Sequence, residues 1–385
     1  METRTVKLGD LSSDLKGQYG INASAVPLRT TLPTYLRITD IDDFGRIKHD
    51  GLCSVETDEL NKYSLREGDL VFARTGNSTG RNYWYDSHDG SFVFAGFLIR
   101  FHFEETEELV PRFLKYYVQS TEYYDWIEGF STGSTRKNLN ARDYGNLPVV
   151  LPPKSYQQKV VAILDMIENK ILLNQQINKN LLRLAKQQFN LTFPNVHEGN
   201  SRLSNVMENF DRKRIPLARR EREKRQGVYR YVGATSVLDY VDDYLFDGTY
   251  LLMGEDGTVQ DEKGFPILQY IWGKFWPNNH AHVLSGTFVS TEWLYLFLMN
   301  TNVRSRITGA VQQKISQANM NSIPLTIPSK DELFRFQKQI EPVFSQIKLL
   351  DEQNLKLTAI HKLLLPKLLA GQIDLSNLEG AIQNA

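Results

Sequence analysis

The chain has 385 residues, 41% hydrophobic and 23% charged, enough for two or three packed domains of ordinary composition. Its 45 basic and 45 acidic residues give a formal net charge of +0, which argues against a histone-like or purely electrostatic binder and confines any DNA site to local patches. One cysteine, Cys53, excludes an intrachain disulfide and a thiolate-cluster zinc site and fits a reducing compartment. The longest aliphatic-aromatic run, residues 293–299, is far short of the roughly 18 residues of a membrane span. Met1-Glu2-Thr3-Arg4 leads into no apolar signal segment. A cytoplasmic protein without a membrane partner is expected.

In chain order, residues 1–152 are mixed in character. Short β-rich runs such as Leu70-Val71-Phe72-Ala73 and Phe92-Val93-Phe94-Ala95 stand between Gly, Asp and Asn turns, which predicts a compact α+β domain. Residues 153–197 turn helical. Val160, Leu164, Ile167, Ile171, Asn174, Asn178, Leu181, Ala185 and Gln188 step by fours and threes like a coiled-coil seam, and nothing breaks the pattern before Pro194. Residues 198–329 read as a second α+β domain, and Asp247-Gly248-Thr249-Tyr250-Leu251-Leu252 echoes Glu67-Gly68-Asp69-Leu70-Val71-Phe72. Residues 330–385 form a second long helix and a tail, with Val343, Ile347, Leu350, Asn354, Leu357, His361, Leu364 and Leu368 in the seam. Pro366 should kink or end that helix, and Gly371 offers a stop. At ~1.5 Å per residue each helix is roughly 50 Å long. Such a helix cannot bury its stripe alone, so each is expected to pack on the other.

An internal repeat underlies this order. At an offset of 176, Gly133-Ser134-Thr135-Arg136-Lys137-Asn138-Leu139-Asn140 overlies Gly309-Ala310-Val311-Gln312-Gln313-Lys314-Ile315-Ser316. The same offset carries Pro148 onto Pro324 and Pro152 onto Pro328. Each proline fixes a backbone angle and removes a donor, so this coincidence points to duplication. Between the shared markers the domains diverge, Arg74 to Arg81 being replaced by Gly254-Glu255-Asp256-Gly257. Asn174 and Asn354 match after a slip of four residues. As buried seam residues they would fix register and orientation; rotated outward they would meet water.

Two divergent globular segments, each followed by a short Leu151-Pro152-Pro153-Lys154 or Ile327-Pro328-Ser329-Lys330 entry and a long helix, resemble the specificity subunit of type I restriction-modification systems. The stretch 133–188 is similar to that family's central repeat and the stretch 324–373 to its distal repeat. The resemblance covers nearly the whole chain. It implies two target-recognition domains joined by two long antiparallel coiled-coil helices with pseudo-twofold symmetry. It implies a noncatalytic subunit that reads a bipartite double-stranded DNA target and docks two methyltransferase subunits, with restriction subunits where the system has them. S-adenosylmethionine, ATP and Mg are then expected on the partners, and no cofactor on this chain. A helical rod between two reading domains would set the number of unread base pairs.

Base reading needs donors, acceptors and planar groups on loops, with cations at the rim for phosphates. The first-domain candidates are Tyr35, Arg37, Arg74, Asn77, Ser78 and Arg81, with Arg136, Lys137 and Asn138 at the repeat junction. Those of the second are Lys263, Gln269, Lys274, Trp276, Asn278, Asn279 and His280, with Gln312, Gln313 and Lys314 at the matching junction. The basic stretch of Arg212, Lys213, Arg214, Arg219, Arg220, Arg222, Lys224 and Arg225 has two readings, a phosphate clamp or a solvated helix face in which Arg and Glu alternate.

No glycine-rich nucleotide loop followed by Lys-Ser/Thr is present, and Leu151-Pro152-Pro153 lacks the asparagine of an aminomethyltransferase pocket. His280 and His282 have no evident third ligand, so no metal is expected. His361 reads as packing, and Asp42-Asp43 and Asp242-Asp243 as turns. A coiled-coil scaffold that binds only proteins, and a self-sufficient metal nuclease, are the competing function classes; salt-dependent duplex binding separates the first and cleavage by the lone chain the second.

Overall fold

The computed structural model describes residues 2–14, 16–49, 51–130, 138–309 and 312–376. Two compact units divide the chain, Met1–Ile171 with Lys356–Ala385, and Leu172–Leu355. The boundaries fall inside two long helices, α6 (Lys154–Thr192) and α10 (Lys330–Leu369). No helix among the described residues is long and apolar enough to cross a membrane.

In the first unit the order is β1 (Arg4–Lys7), α1 (Leu8–Leu11), β2 (Gln18–Tyr19), β3 (Ala25–Pro27), β4 (Thr34–Leu36), β5 (Cys53–Val55), α2 (Leu60–Tyr63), β6 (Asp69–Ala73), β7 (Asn82–Trp84), β8 (Phe92–Phe94), β9 (Leu98–His102), α3 (Pro111–Tyr117), α4 (Thr121–Glu128), α5 (Ala141–Gly145) and β10 (Pro148–Leu151). These build a β1-β10 pair and two four-stranded sheets, β2-β9-β6-β7 and β3-β5-β4-β8, in which only β4 and β8 run parallel. Strand β6 is buried on both faces, which explains its unbroken apolar run. Leu70 and Phe72 join Phe101, Phe113, Tyr116 and Tyr144 in one core, while Val71 and Ala73 join Leu36, Phe92 and Phe94 in another. The first core also takes Val160 and Leu164 of α6 and Leu365 and Leu368 of α10.

In the second unit β11 (Ser201–Arg202) and β12 (Met207–Asn209) lead to α7 (Arg219–Lys224), β13 (Gln226–Val232), β14 (Val237–Val241), β15 (Phe246–Gly254), β16 (Leu268–Pro277), β17 (Ala281–Gly286), α8 (Thr291–Leu298), α9 (Gln317–Asn321) and β18 (Pro324–Leu325). A β11-β18 pair accompanies a six-stranded sheet, β12-β17-β15-β16-β13-β14, whose one parallel contact is β13 with β16. Strand β15 is again shared, Leu251 and Met253 facing the core of α8 and Leu252 the opposite core.

The repeat is written in the hydrogen bonds. The amide of Leu8 donates to Leu147 O and that of Leu203 to Ile323 O, both at 2.9 Å. Asn140 caps α5 and Ser316 caps α9. Leu139 N–H donates to Arg74 O (2.9 Å), and Ile315 N–H to Glu255 O (2.8 Å). These bonds pair Arg74-Thr75-Gly76 with Glu255-Asp256-Gly257, one residue later than the alignment that sets Arg74 against Gly254. The left-handed turn glycines Gly76 (φ 71°) and Gly257 (φ 79°) then coincide.

The long helices run antiparallel within each unit. In the first, Tyr156 hydroxyl donates to Leu368 O (3.1 Å) and Glu168 meets His361 at 3.6 Å. Among the seam residues there, Leu164 and Ile171 are buried, and Ile167 and Leu357 half-buried. In the second, Ile347 and Leu350 are buried, and Asn174, 0% exposed, donates to Asn354 (2.9 Å) and Gln353 (2.8 Å). The buried alternative for Asn174 is the one the structure adopts, half-buried Asn354 being its partner. Of the two outcomes expected at Pro366, a kink or an end, the second does not occur, since α10 runs on to Leu369. Near the C-terminus only one intrahelical bond is forfeited, and buried Leu365 and Leu368 flank it. The chain leaves the helix at Gly371 (φ 67°).

Candidate nucleic-acid interface

Each unit brings its repeat junction against the loop that follows its doubly buried strand. In the first, Thr75 and Asn138 form an isolated antiparallel bridge; in the second, Asp256 and Lys314 do. Arg74 lies with its guanidinium 5.0 Å from the ring centroid of Tyr19 and donates a long 3.4 Å bond to Asn138 Oδ1. Tyr19 is held in turn by the Ala141 amide (3.0 Å). Arg136 and Lys137 lie outside the described residues.

Elsewhere in the first unit the candidates separate into reachable and internal groups. Asn77 is exposed. Arg81 pairs with Asp43 at 2.6 Å, and Ser78 is buried beneath it. Arg37 forks onto buried Asp40 (2.7 and 3.0 Å), and that hydrogen bond raises its pKa. Tyr35 is buried and its hydroxyl donates to Ile21 O (2.8 Å). Expected at a groove, Tyr35 and Ser78 are instead buried, Tyr35 with its hydroxyl engaged by the backbone, while Arg37, held by Asp40, stays half-exposed.

The basic stretch of the second unit also divides. Arg214, with its side chain 12% exposed, reaches Glu255 (2.8 Å), Asp211 (3.6 Å) and Ala281 O (2.6 Å). Arg222 turns to Asp239 and the Tyr231 ring, and Arg225 to Asp242 and the Trp276 ring. Arg219 pairs with Glu223, Lys213 lies over the Phe210 ring, and Arg212, Arg220 and Lys224 face outward. Trp276 is buried with its indole N–H on Ile215 O (2.6 Å), and buried Asn278 accepts from the His280 amide. Gln269 donates to Gly233 O (2.7 Å). Trp276 and Asn278, expected to read bases, and Arg214, expected in a phosphate clamp or on a solvated helix face, are instead internal supports. Lys263, Asn279, Gln312 and Gln313 are exposed, as is Lys274, which lies 4.5 Å from the Tyr244 ring. His280 is exposed and bonded to Asp256.

Beneath the second junction, Asp211, Glu255 and His282 offer ligand atoms within 4.8 Å of one another. Each is already paired within the protein. Asp211 accepts from His282 (2.6 Å), the Val283 amide (2.9 Å) and Asn209 (2.9 Å), and although burial opposes it these bonds hold its carboxyl below the ordinary range. Glu255 takes Arg214 and Lys314 (3.3 Å), and His282 Nε2 faces Ile315 O (2.8 Å). The arrangement serves as an ion network that fixes the junction. Sequence reasoning passed over Tyr19, Asp211 and Glu255, since partners such as Arg214 and Glu255 are far apart in the chain. Asp42 and Asp243 cap turns, as expected, accepting from the Phe44 and Tyr244 amides (each 2.8 Å).

The family model for the type I restriction modification DNA specificity domain matches residues 45–183 and again 198–359. The chain belongs to this DNA specificity family. The family is defined by DNA specificity rather than by a reaction. Among curated members, a putative type I restriction enzyme specificity subunit of Haemophilus influenzae is 36% identical over 103 residues, 26% of each chain. The match thus spans about a quarter of that relative's length. The MjaIX specificity subunit of Methanocaldococcus jannaschii is 22% identical over 311 residues, 70% of this chain and 71% of that one. The crystal structure of a type I restriction-modification S subunit from M. genitalium shares the fold, with a TM-score of 0.55 at 14% identity over 96% of both chains. The two family matches each include one junction and most of one long helix, so the family unit coincides with the internal repeat.

Proposed function

We propose that this chain is the noncatalytic specificity subunit of a type I restriction-modification enzyme, and that it reads a bipartite duplex target with one half-site for each unit. Two methyltransferase subunits dock on it, and restriction subunits where the system has them. S-adenosylmethionine, ATP and Mg belong to those partners, and the assembly works in the cytoplasm. The observation that carries the reading is one hydrogen-bonded frame built twice, with unlike residues on equivalent loops such as Arg74 and Glu255. Duplication of a frame with divergence of its loops suits the reading of two different short sequences. Exposed Asn77 and Asn138 in one unit and Lys263, Asn279, Gln312 and Gln313 in the other supply the donors and acceptors that base edges require.

The test is sequencing of methylated bases in cells that express the neighbouring methyltransferase subunit with or without this chain. Modified adenines confined to one bipartite motif, lost without the chain, are expected. The same methylation in both cells would overturn the reading.

A further inference from the structure

The two junctions are equivalent in backbone and opposite in charge. Arg74 occupies the place in the first unit that Glu255 occupies in the second, each accepting on its carbonyl the amide that follows the junction bridge. Arg74 has no carboxylate partner among the described residues. Its positioning comes from the Tyr19 ring and the long bond to Asn138, its Nε has no hydrogen-bond partner, and neither contact neutralises its charge. An aromatic face beneath a guanidinium orients the fork and leaves its charge available.

At the second junction the cations are spent. Lys314 sits 3.3 Å from Glu255, and Arg214 sits 2.8 Å from the same carboxylate. The carboxylate 3.3 Å from Lys314 offsets that lysine's charge toward a phosphate, whereas Arg74 has no carboxylate partner among the described residues.

Resting on the DNA-binding reading above, we infer that the two junctions contact the DNA backbone unequally: Arg74 takes a phosphate, while Glu255 masks Lys314 at the equivalent place. The ligand class is the duplex phosphate, so the asymmetry does not depend on which sequence is read. Glu255 acts here as a positioning residue that withholds a cation.

The experiment is titration of the full chain against a labelled duplex of random sequence over a series of salt concentrations, with the slope of log affinity against log salt as the readout. Replacing one phosphate contact changes that slope by about 0.9. Arg74→Gln is expected to flatten the slope by that amount, Arg74→Lys to keep it, and Lys314→Gln to leave it as it was. Glu255→Gln is expected to steepen it by a similar amount, and the double variant Glu255→Gln with Lys314→Gln to return it to the unaltered slope, which separates Lys314 from Arg214 as the cation released. A wild-type slope retained in Arg74→Gln, or an equal flattening in Lys314→Gln, overturns this inference and leaves the DNA-binding reading standing. Absence of salt-dependent binding by the unaltered chain overturns both.

Discussion

Arg212 and Arg214 stand two residues apart in one basic stretch, and their surroundings give them opposite roles. Arg212 is exposed, and Arg214 has its charge divided between Asp211 and Glu255 with its remaining donors on backbone carbonyls. Removing one member of such a network leaves partly buried charge uncompensated. Arg214→Met should therefore cost on the order of 3 kcal/mol of stability, and Arg212→Ala no more than about 0.5 kcal/mol. Urea unfolding of both variants checks this, and equal midpoints would show that Arg214 is not an internal support. Trp276 belongs with Arg214. Its indole is buried and bonded to Ile215 O, so Trp276→Ala should lower stability by about 3–5 kcal/mol, and a variant that kept full stability would reopen a surface role.

At the scale of elements, the helical pair combines an apolar seam with a few polar layers. Asn174 is fully buried in the second unit, donating to both Asn354 and Gln353. Asn174→Leu should cost about 1–2 kcal/mol because it strands polar partners, and the double change with Asn354→Leu should recover most of that. A double-mutant cycle with no coupling would show that the two amides do not depend on each other. In the first unit His361 is half-buried between the helices beside Glu168. Burial, with Arg46 and Lys115 nearby, lowers its pKa, against the pull of Glu168. The unfolded chain therefore binds this proton more readily than the folded one. Stability from this group is present above the ordinary value of about 6.5 and is lost as pH falls through the window below it. The urea midpoint should fall from pH 7.5 to pH 5.5 by less in His361→Gln than in the unaltered chain; identical falls would remove His361 from the account.

At the scale of the whole molecule, neutral net charge and duplication belong together. A chain of formal net charge +0 must make any DNA contact through local groups, and the exposed polar residues at the two junctions differ between two copies of one frame. Exchange of residues 198–329 for the corresponding segment of a relative should change one half of the methylated motif and leave the other half intact. A change in both halves, read by sequencing of modified bases, would show that the units do not read independently.

The sequence by itself determined the duplication, the long helices and the alternation of α+β segments with them. Each of these rests on local rules. Proline and glycine punctuate turns, seam residues recur at helical spacing, and strands such as Leu70 to Ala73 stay apolar throughout when both faces are buried. The exposed junction residues Asn138, Gln312 and Gln313 were legible for the same reason, as polar positions beside the repeated markers. Only the tertiary structure decided which polar side chains remain available to a partner. Tyr35, Trp276 and Asn278 resemble surface readers in sequence, and their burial and their bonds to backbone withdraw them. Arg74 and Lys314 share a junction frame, and Glu255, 59 residues before Lys314 (314 − 255), separates their roles. Such pairings join groups far apart in the chain, and local propensity and periodicity contain no term for them.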